Sequence, residues 1–298
     1  VCAAQDGIRF NQLKEMIQEA ERLGFESFWL FDHLTGFPFP NRQPILESWT
    51  TLSALSMLVE KIRIGTLVTN IQYRLPSLVA KMAATLDVIS GGRLELGLGA
   101  GGTVRADWHQ KLGYVPEYVA YGTPFQEKPS IRVRRLDEAA EIIRLMWTEE
   151  RATFSGRYYR IKDAVCDPKP IQRPHPRIWI AGGGEMLLLQ VAAKHADGTN
   201  FAWNLTPAEF KHKLTVLRSH CERLGTDFVR IVKSLSAGVL IADDDRTVSA
   251  TKEELMKSYY GLEGYLPYAL RKGGLVGTPK QCAEKLKEFA EAGAQCFM

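Results

Sequence analysis

A parallel α/β fold, with eight strands closing into a (β/α)8 barrel, is what the order of segments in this chain predicts. Helix-period and strand-like runs take turns along almost the whole sequence, as a parallel sheet with crossover helices requires. Seven strand-like runs are clear, and residues 1–4 supply a remnant of an eighth. Eight strands close a barrel; an open doubly wound sheet is the alternative. The 298 residues suit one domain, because α/β barrels run to about 250 residues or more as a unit.

In chain order, a helix is expected from about Asn11, an Asn able to cap, with Leu13, Met16, Ile17, Ala20 and Leu23 on one face and Gly24 as its stop. A strand at 27–31, a helix at 46–58 and a strand at 62–68 come next. Pro76 opens another helix, with Leu78, Val79, Met82, Ala83 and Leu86 inward, and a strand at 94–98 follows the turn Ser90-Gly91-Gly92. Val133, Leu136, Ala140, Ile143 and Trp147 mark an amphipathic helix, after which residues 151–176 carry four prolines and the aromatics Phe154, Tyr158 and Tyr159. The alternation resumes with a strand at 178–181, a helix at 186–195, a strand at 199–202, a helix at 207–224 and a strand at 235–241. A helix from Pro279, with Ala283, Leu286, Phe289 and Ala290 on its apolar face, precedes a strand start at 295–298.

Composition excludes several function classes. The chain is 45% hydrophobic and 24% charged, as expected of a globular protein with a sizeable core. A formal charge of +4, with cations interleaved among Asp and Glu, argues against nucleic acid as a partner. No run approaches the ~20 apolar residues of a membrane span and no secretion signal opens the chain, so a cytoplasmic location is expected. The five scattered cysteines contain no CxxC pair, so they read as reduced thiols and no metal site is expected.

Barrel sites form from loops after the strands. Four strand ends are unusual: Asp32-His33, the segment Thr66 to Asn70, the run Gly97-Leu98-Gly99-Ala100-Gly101-Gly102, and Ala181-Gly182-Gly183-Gly184. Glycines there let backbone N–H groups approach a ligand, and a helix N-terminus beyond Gly184 favours an anion. The alternative is a tight turn that uses glycine for steric reasons. The GxGxxG match at Gly97–Gly102 lacks the following helix and acidic residue of a dinucleotide site. His33 titrates near neutrality and can pass a proton beside a redox-active ring; a core histidine, and Asp32 as a loop cap, are the plain alternatives.

These segments resemble the luciferase-like monooxygenase superfamily, especially its deazaflavin-dependent branch. The resemblance rests on Ile62 to Thr69, Tyr73-Arg74, Pro76, Lys81 to Asp87, Ser90 to Arg93, Leu96 to Gly101, Pro168 to Pro170, Pro174, Ile178 to Ile180, Gly182 to Gly184 and Ala196 to Gly198. It implies a TIM barrel with an insertion between strands 4 and 5, at about 103–177, and a redox reaction carried by a cofactor. His33 would be the active-site histidine and Asp32 its hydrogen-bonding neighbour on the cofactor. Thr66-Leu67 would be a non-proline cis peptide backing the ring, and Thr69, Ala100 and Gly101 further contacts. Gly183, Gly184, Met186 and Leu187 would hold the phosphate-bearing tail. The function implied is coenzyme F420-dependent hydride transfer to or from a small organic substrate. The alternatives are an FMN-dependent monooxygenase and a non-catalytic deazaflavin-binding protein. A homodimer is the implied assembly. The loop 107–129, with Trp108, His109, Tyr114, Tyr118 and Tyr121, is either a candidate substrate-pocket wall or a simple surface excursion.

Overall fold

The computed structural model describes residues 1–36, 43–102, 115–126, 128–201, 204–259, 261 and 266–298. Thr103, Trp108, His109 and Tyr114 therefore lie outside the described residues. The chain forms two compact units, one of Val1–Ala181 with His195–Asp197, the other of Gly182–Lys194 with Gly198–Met298.

In the first unit, β1 (Cys2–Ala3), β2 (Ser27–Leu30), β3 (Arg63–Asn70), β4 (Leu94–Gly99) and, after a hairpin of β5 (Ala152–Ser155) and β6 (Arg160–Ala164), β7 (Arg177–Ala181) provide the strands. The order β1-β2-β3-β4-β7 is parallel throughout. Helices α1 (Phe10–Arg22), α2 (Ser48–Ser56), α3 (Pro76–Ile89), the single turn α4 (Glu117–Ala120) and α5 (Pro129–Thr148) connect them. Pro at the start of α3 costs no hydrogen bond, because the first helical N–H has no intrahelical acceptor. Trp147 Nε1 donates to Ala80 O at 2.9 Å, tying α5 to α3. Buried Asp87 accepts from the amides of Ile171 (2.7 Å) and Gln172 (3.0 Å), which fixes the proline-rich stretch that has cis bonds before Pro168 and Pro174.

The second unit contains the parallel set β8 (Gly198–Phe201), β9 (Val232–Leu235) and, at the chain end, β12 (Cys296–Phe297). A separate parallel pair joins β10 (Val239–Ile241) to β11 (Leu275–Gly277). Helices α6 (Leu188–His195), α7 (Pro207–Leu224), α8 (Asp245–Ser258) and α9 (Pro279–Glu291) accompany them. Thr206 and Glu209 close a capping box on α7, and Gly225 ends it at φ 67°. The core gathers Leu189, Phe201, Phe210, Leu214, Leu235 and Phe289. Phe210 meets Phe201 and Phe289 edge to face, which suits the ring quadrupoles.

Several expectations need correction. Asn11 lies inside α1, whose cap is Arg9, with Gln12 Oε1 accepting from the Arg9 amide at 3.0 Å. Leu78 is half exposed because α3 packs through its small residues Ala80, Ala83 and Ala84. On α9 the inward face is Cys282, Leu286 and Phe289, the i, i+4, i+7 row, while Ala283 and Ala290 face outward. The single strand expected at 235–241 is two strands, β9 and β10. The hairpin β5–β6 and helix α8 were not expected, and α6 begins at Leu188, after a turn through Glu185, Met186 and Leu187.

Candidate functional site

At the end of β2 the chain turns into Asp32 and His33. Gln5, fully buried, holds this corner: its Nε2 donates to Phe31 O (3.0 Å) and Leu46 O (3.1 Å), and its Oε1 accepts from Phe31 N (2.8 Å). Asp32 is also buried, and its charge is matched by Arg74, which donates to Oδ2 at 2.7 Å and Oδ1 at 3.1 Å. Ser48 Oγ (3.0 Å) and Asn70 N (2.9 Å) complete the shell. A buried carboxylate requires such compensation. Both oxygens of Asp32 are thus engaged with protein donors, and through Asn70 they fix the end of β3.

His33 lies beside a second carboxylate that the sequence reading did not single out. Glu117, at the start of α4, lies 3.2 Å from His33 Nδ1 through each of its oxygens. It also accepts from Leu34 N (3.0 Å), Thr35 N (3.0 Å) and the Tyr73 hydroxyl. Glu117 is 4% exposed, whereas the His33 side chain keeps 37% of its surface accessible. Desolvation alone would lower the pKa of His33. The hydrogen bond and charge of Glu117, with the charges of Asp32 and Asp6, outweigh it and raise the imidazole above its ordinary value. For Glu117 burial pushes upward, but the hydrogen bond and charge of His33 and the bonds from Tyr73 and Thr35 bring the carboxyl below its usual range. Burial, then the charge of Glu117, push the Tyr73 phenol up.

The third piece is an irregularity in β3. Its register against β4 shifts between Thr66 and Thr69, where the hydroxyls of these two buried residues lie 2.6 Å apart. The non-proline cis peptide is Leu67–Val68, one bond later than expected at Thr66–Leu67. Thr66 is still in the regular ladder, opposite Leu96, with its Oγ1 3.3 Å from Gly97 O, so the irregularity begins only beyond it. Leu67 is buried. The glycines of β4 accommodate this bulge: a Cβ on Gly97 would lie 2.1 Å from Thr66 O, and one on Gly99 2.5 Å from Val68 Cγ2. Ala100 is half-buried, and Gly101, at φ 78°, closes against Asn70. The Asp32-His33 corner, the bulge and the first glycine-rich turn are therefore one connected structure.

The Gly182–Gly184 turn belongs to the second unit and forms a separate structure there. Gly183 O accepts from Lys213 Nζ at 2.8 Å, and the same ammonium binds Glu185 Oε1 at 2.6 Å. His220 Nε2 lies 2.6 Å from Glu185 O. Gly184 O accepts from Leu189 N at 3.0 Å, leading into α6, while Met186 is 83% exposed and Leu187 half-buried. The turn is thus held from beneath by α7, ahead of a helix N-terminus.

A family model described as luciferase-like monooxygenase matches residues 2–296. An F420-dependent glucose-6-phosphate dehydrogenase of Intrasporangium calvum is 35% identical over 192 residues, 63% of this chain and 52% of that one. An FMNH(2)-dependent dimethylsulfone monooxygenase of Pseudomonas putida is 31% identical over 316 residues, 96% of this chain and 81% of that one. The chain spans 52% to 66% of the length of three of the curated relatives it matches. A solved F420-dependent secondary alcohol dehydrogenase, in complex with an F420-acetone adduct, matches with a TM-score of 0.78 at 21% identity. That match covers 99% of this chain and 90% of the other, and the likeness shows the fold.

Proposed function

Because the chain belongs to the luciferase-like monooxygenase family, we propose that it is a coenzyme F420-dependent oxidoreductase acting on a small organic substrate, with His33 handling the proton of the reaction. The observation that carries this reading is the half-exposed imidazole of His33 beside buried Glu117, since a histidine so placed can give up or take a proton near neutral pH. The proposed fold is the (β/α)8 barrel of the family, with the stretch from about 103 to 177 as its insertion.

The residues present suit a flat ring with an anionic tail. Where a Cβ on Gly97 or Gly99 would strike the bulge, glycine lets β3 and β4 close into one continuous wall. Thr66, Leu67 and Thr69 support that wall from within, and Ala100 and Gly101 form its edge. Asp32 acts through Asn70 to fix its shape. Taken by themselves in the second unit, the amides around Gly183, Gly184, Met186 and Leu187 suit an anionic group such as the phosphate of a cofactor tail. Bound there, the deazaflavin would supply or accept a hydride.

The similarity to F420-dependent dehydrogenases supports this cofactor. A second reading, reduced FMN and a monooxygenase reaction, draws on the relative matched over 96% of the chain. Titrating the apo-protein with F420 and with FMN, followed by absorbance, separates them. Saturable F420 binding is expected; binding of FMN alone, with oxygen consumed together with substrate when the flavin is supplied reduced, would replace the first reading by the second. His33→Ala should retain F420 binding and lose about 10²–10⁴-fold in turnover.

A further inference from the structure

We infer that Glu117 is a positioning residue for His33, assisted by Tyr73, and that this pair makes Nε2 the imidazole nitrogen that exchanges protons with substrate. The inference deepens the oxidoreductase reading above and rests on it for the role of His33.

The argument is one of hydrogen-bond bookkeeping. An ionised carboxylate only accepts. Glu117 Oε1 already accepts from the amides of Leu34 and Thr35, both at 3.0 Å, and Oε2 accepts from the Tyr73 hydroxyl. A proton on either oxygen would compete with those donors. Burial and the neighbouring charge keep the phenol of Tyr73 protonated, so it serves as a donor there. The hydrogen between Glu117 and His33 therefore resides on Nδ1. With Nδ1 committed, the nitrogen that gains and loses a proton is Nε2.

The same carboxylate also fixes where the imidazole is. By binding residues 33, 34 and 35 together, Glu117 pins the segment after β2 to α4, more than 80 residues away in sequence. Among the described residues, the charged groups facing His33 include Glu117 from α4, Asp32 from its own segment and Asp6 from the segment after β1. Asp32 is matched by Arg74, so the ion partner closest at hand for the imidazolium is Glu117.

The test uses apo-protein with ¹⁵N-labelled histidine and needs no cofactor, so its failure is separate from a failure to bind F420. Long-range ¹⁵N–¹H spectra across a pH series report the tautomer and midpoint of each imidazole, with His33 assigned by its loss in His33→Gln. The expected wild-type result is an Nδ1–H tautomer at high pH and a midpoint above that of an ordinary histidine. In Glu117→Gln the midpoint should fall by about one to three pH units, whereas Tyr73→Phe should keep the Nδ1–H tautomer. An Nε2–H tautomer in the wild type, or an unmoved midpoint in a folded Glu117→Gln, would overturn the inference. Should Glu117→Gln fail to fold, the wild-type tautomer alone decides.

Discussion

Two glycine-rich turns look alike in the sequence and differ in what their missing side chains make room for. In Gly97–Gly101 the space is filled by the protein itself, by Thr66 O, Val68 and the Asn70 side chain. In the second unit, among the described residues, a Cβ on Gly183 would meet Lys213 Cε at 3.7 Å, and one on Gly184 would meet Leu188 Cβ at 3.4 Å, ordinary contact distances. The first turn uses glycine to fit against its neighbour strand; in the second, a Cβ on Gly182 would likewise lie 2.3 Å from Leu188 Cδ2, while Gly183 and Gly184 leave backbone approachable. Glycine content alone therefore does not distinguish a packing requirement from a ligand site.

That contrast can be broken by substitution. Gly97→Ala should have the largest effect, destabilising the fold by about 3 kcal/mol in chemical denaturation, because a methyl would press on a backbone oxygen that cannot rotate away. A loss no larger than that of an ordinary surface change would remove the packing role from this turn. Gly101→Ala should cost about 1–2 kcal/mol, from its positive φ and the 2.7 Å approach to Asn70 Oδ1.

Electrostatics sharpen the comparison further. Glu117, with its pKa lowered, contributes stability above its unfolded value and loses it as pH falls through the folded one. His33, with its pKa raised, contributes below its unfolded value and loses that as pH rises through the folded one. The difference in unfolding midpoint between wild type and Glu117→Gln should therefore peak at about pH 5–6. The second turn is tied by Glu185, held below the usual carboxylate range first by its hydrogen bond from Lys213. Lys213→Met should show no such decline on the alkaline side of that peak. Gly183→Ala should be the mildest, within about 0.5 kcal/mol of wild type in stability, yet weaken F420 roughly tenfold by calorimetry. Unchanged affinity would take this turn out of the proposed site.

The alternation of helices and strands was legible because each crossover helix carries an apolar stripe and each buried strand a short apolar run. Pro76, Pro207 and Pro279 marked three helix starts correctly, since Pro at the first helical position needs no partner for its nitrogen. His33 was singled out from its place at a strand end. Glu117 was not, because a lone acid in a polar, aromatic loop looks like solvent-facing charge; only the fold brings it to Nδ1 of a residue 84 positions earlier. The protein-filled shell of Asp32 was hidden for the same reason, since Arg74 and Ser48 reach it from separate elements. Hairpin β5–β6 lacks strict alternation, and its exposed charged residues gave no strand signal.

The meeting of Thr66 and Thr69 has a consequence for parity. In a regular strand, residues three apart point to opposite faces, so two such hydroxyls cannot touch. Here they do, which means that outward and inward positions exchange within β3. Deleting one residue between Thr66 and Thr69 would restore the simple alternation while leaving Thr69 opposite Leu98 and Asn70 opposite Gly99, on the faces they occupy now. A change that makes the strand more ideal would thereby remove the bulge and leave the Asp32-His33 corner fastened to Asn70.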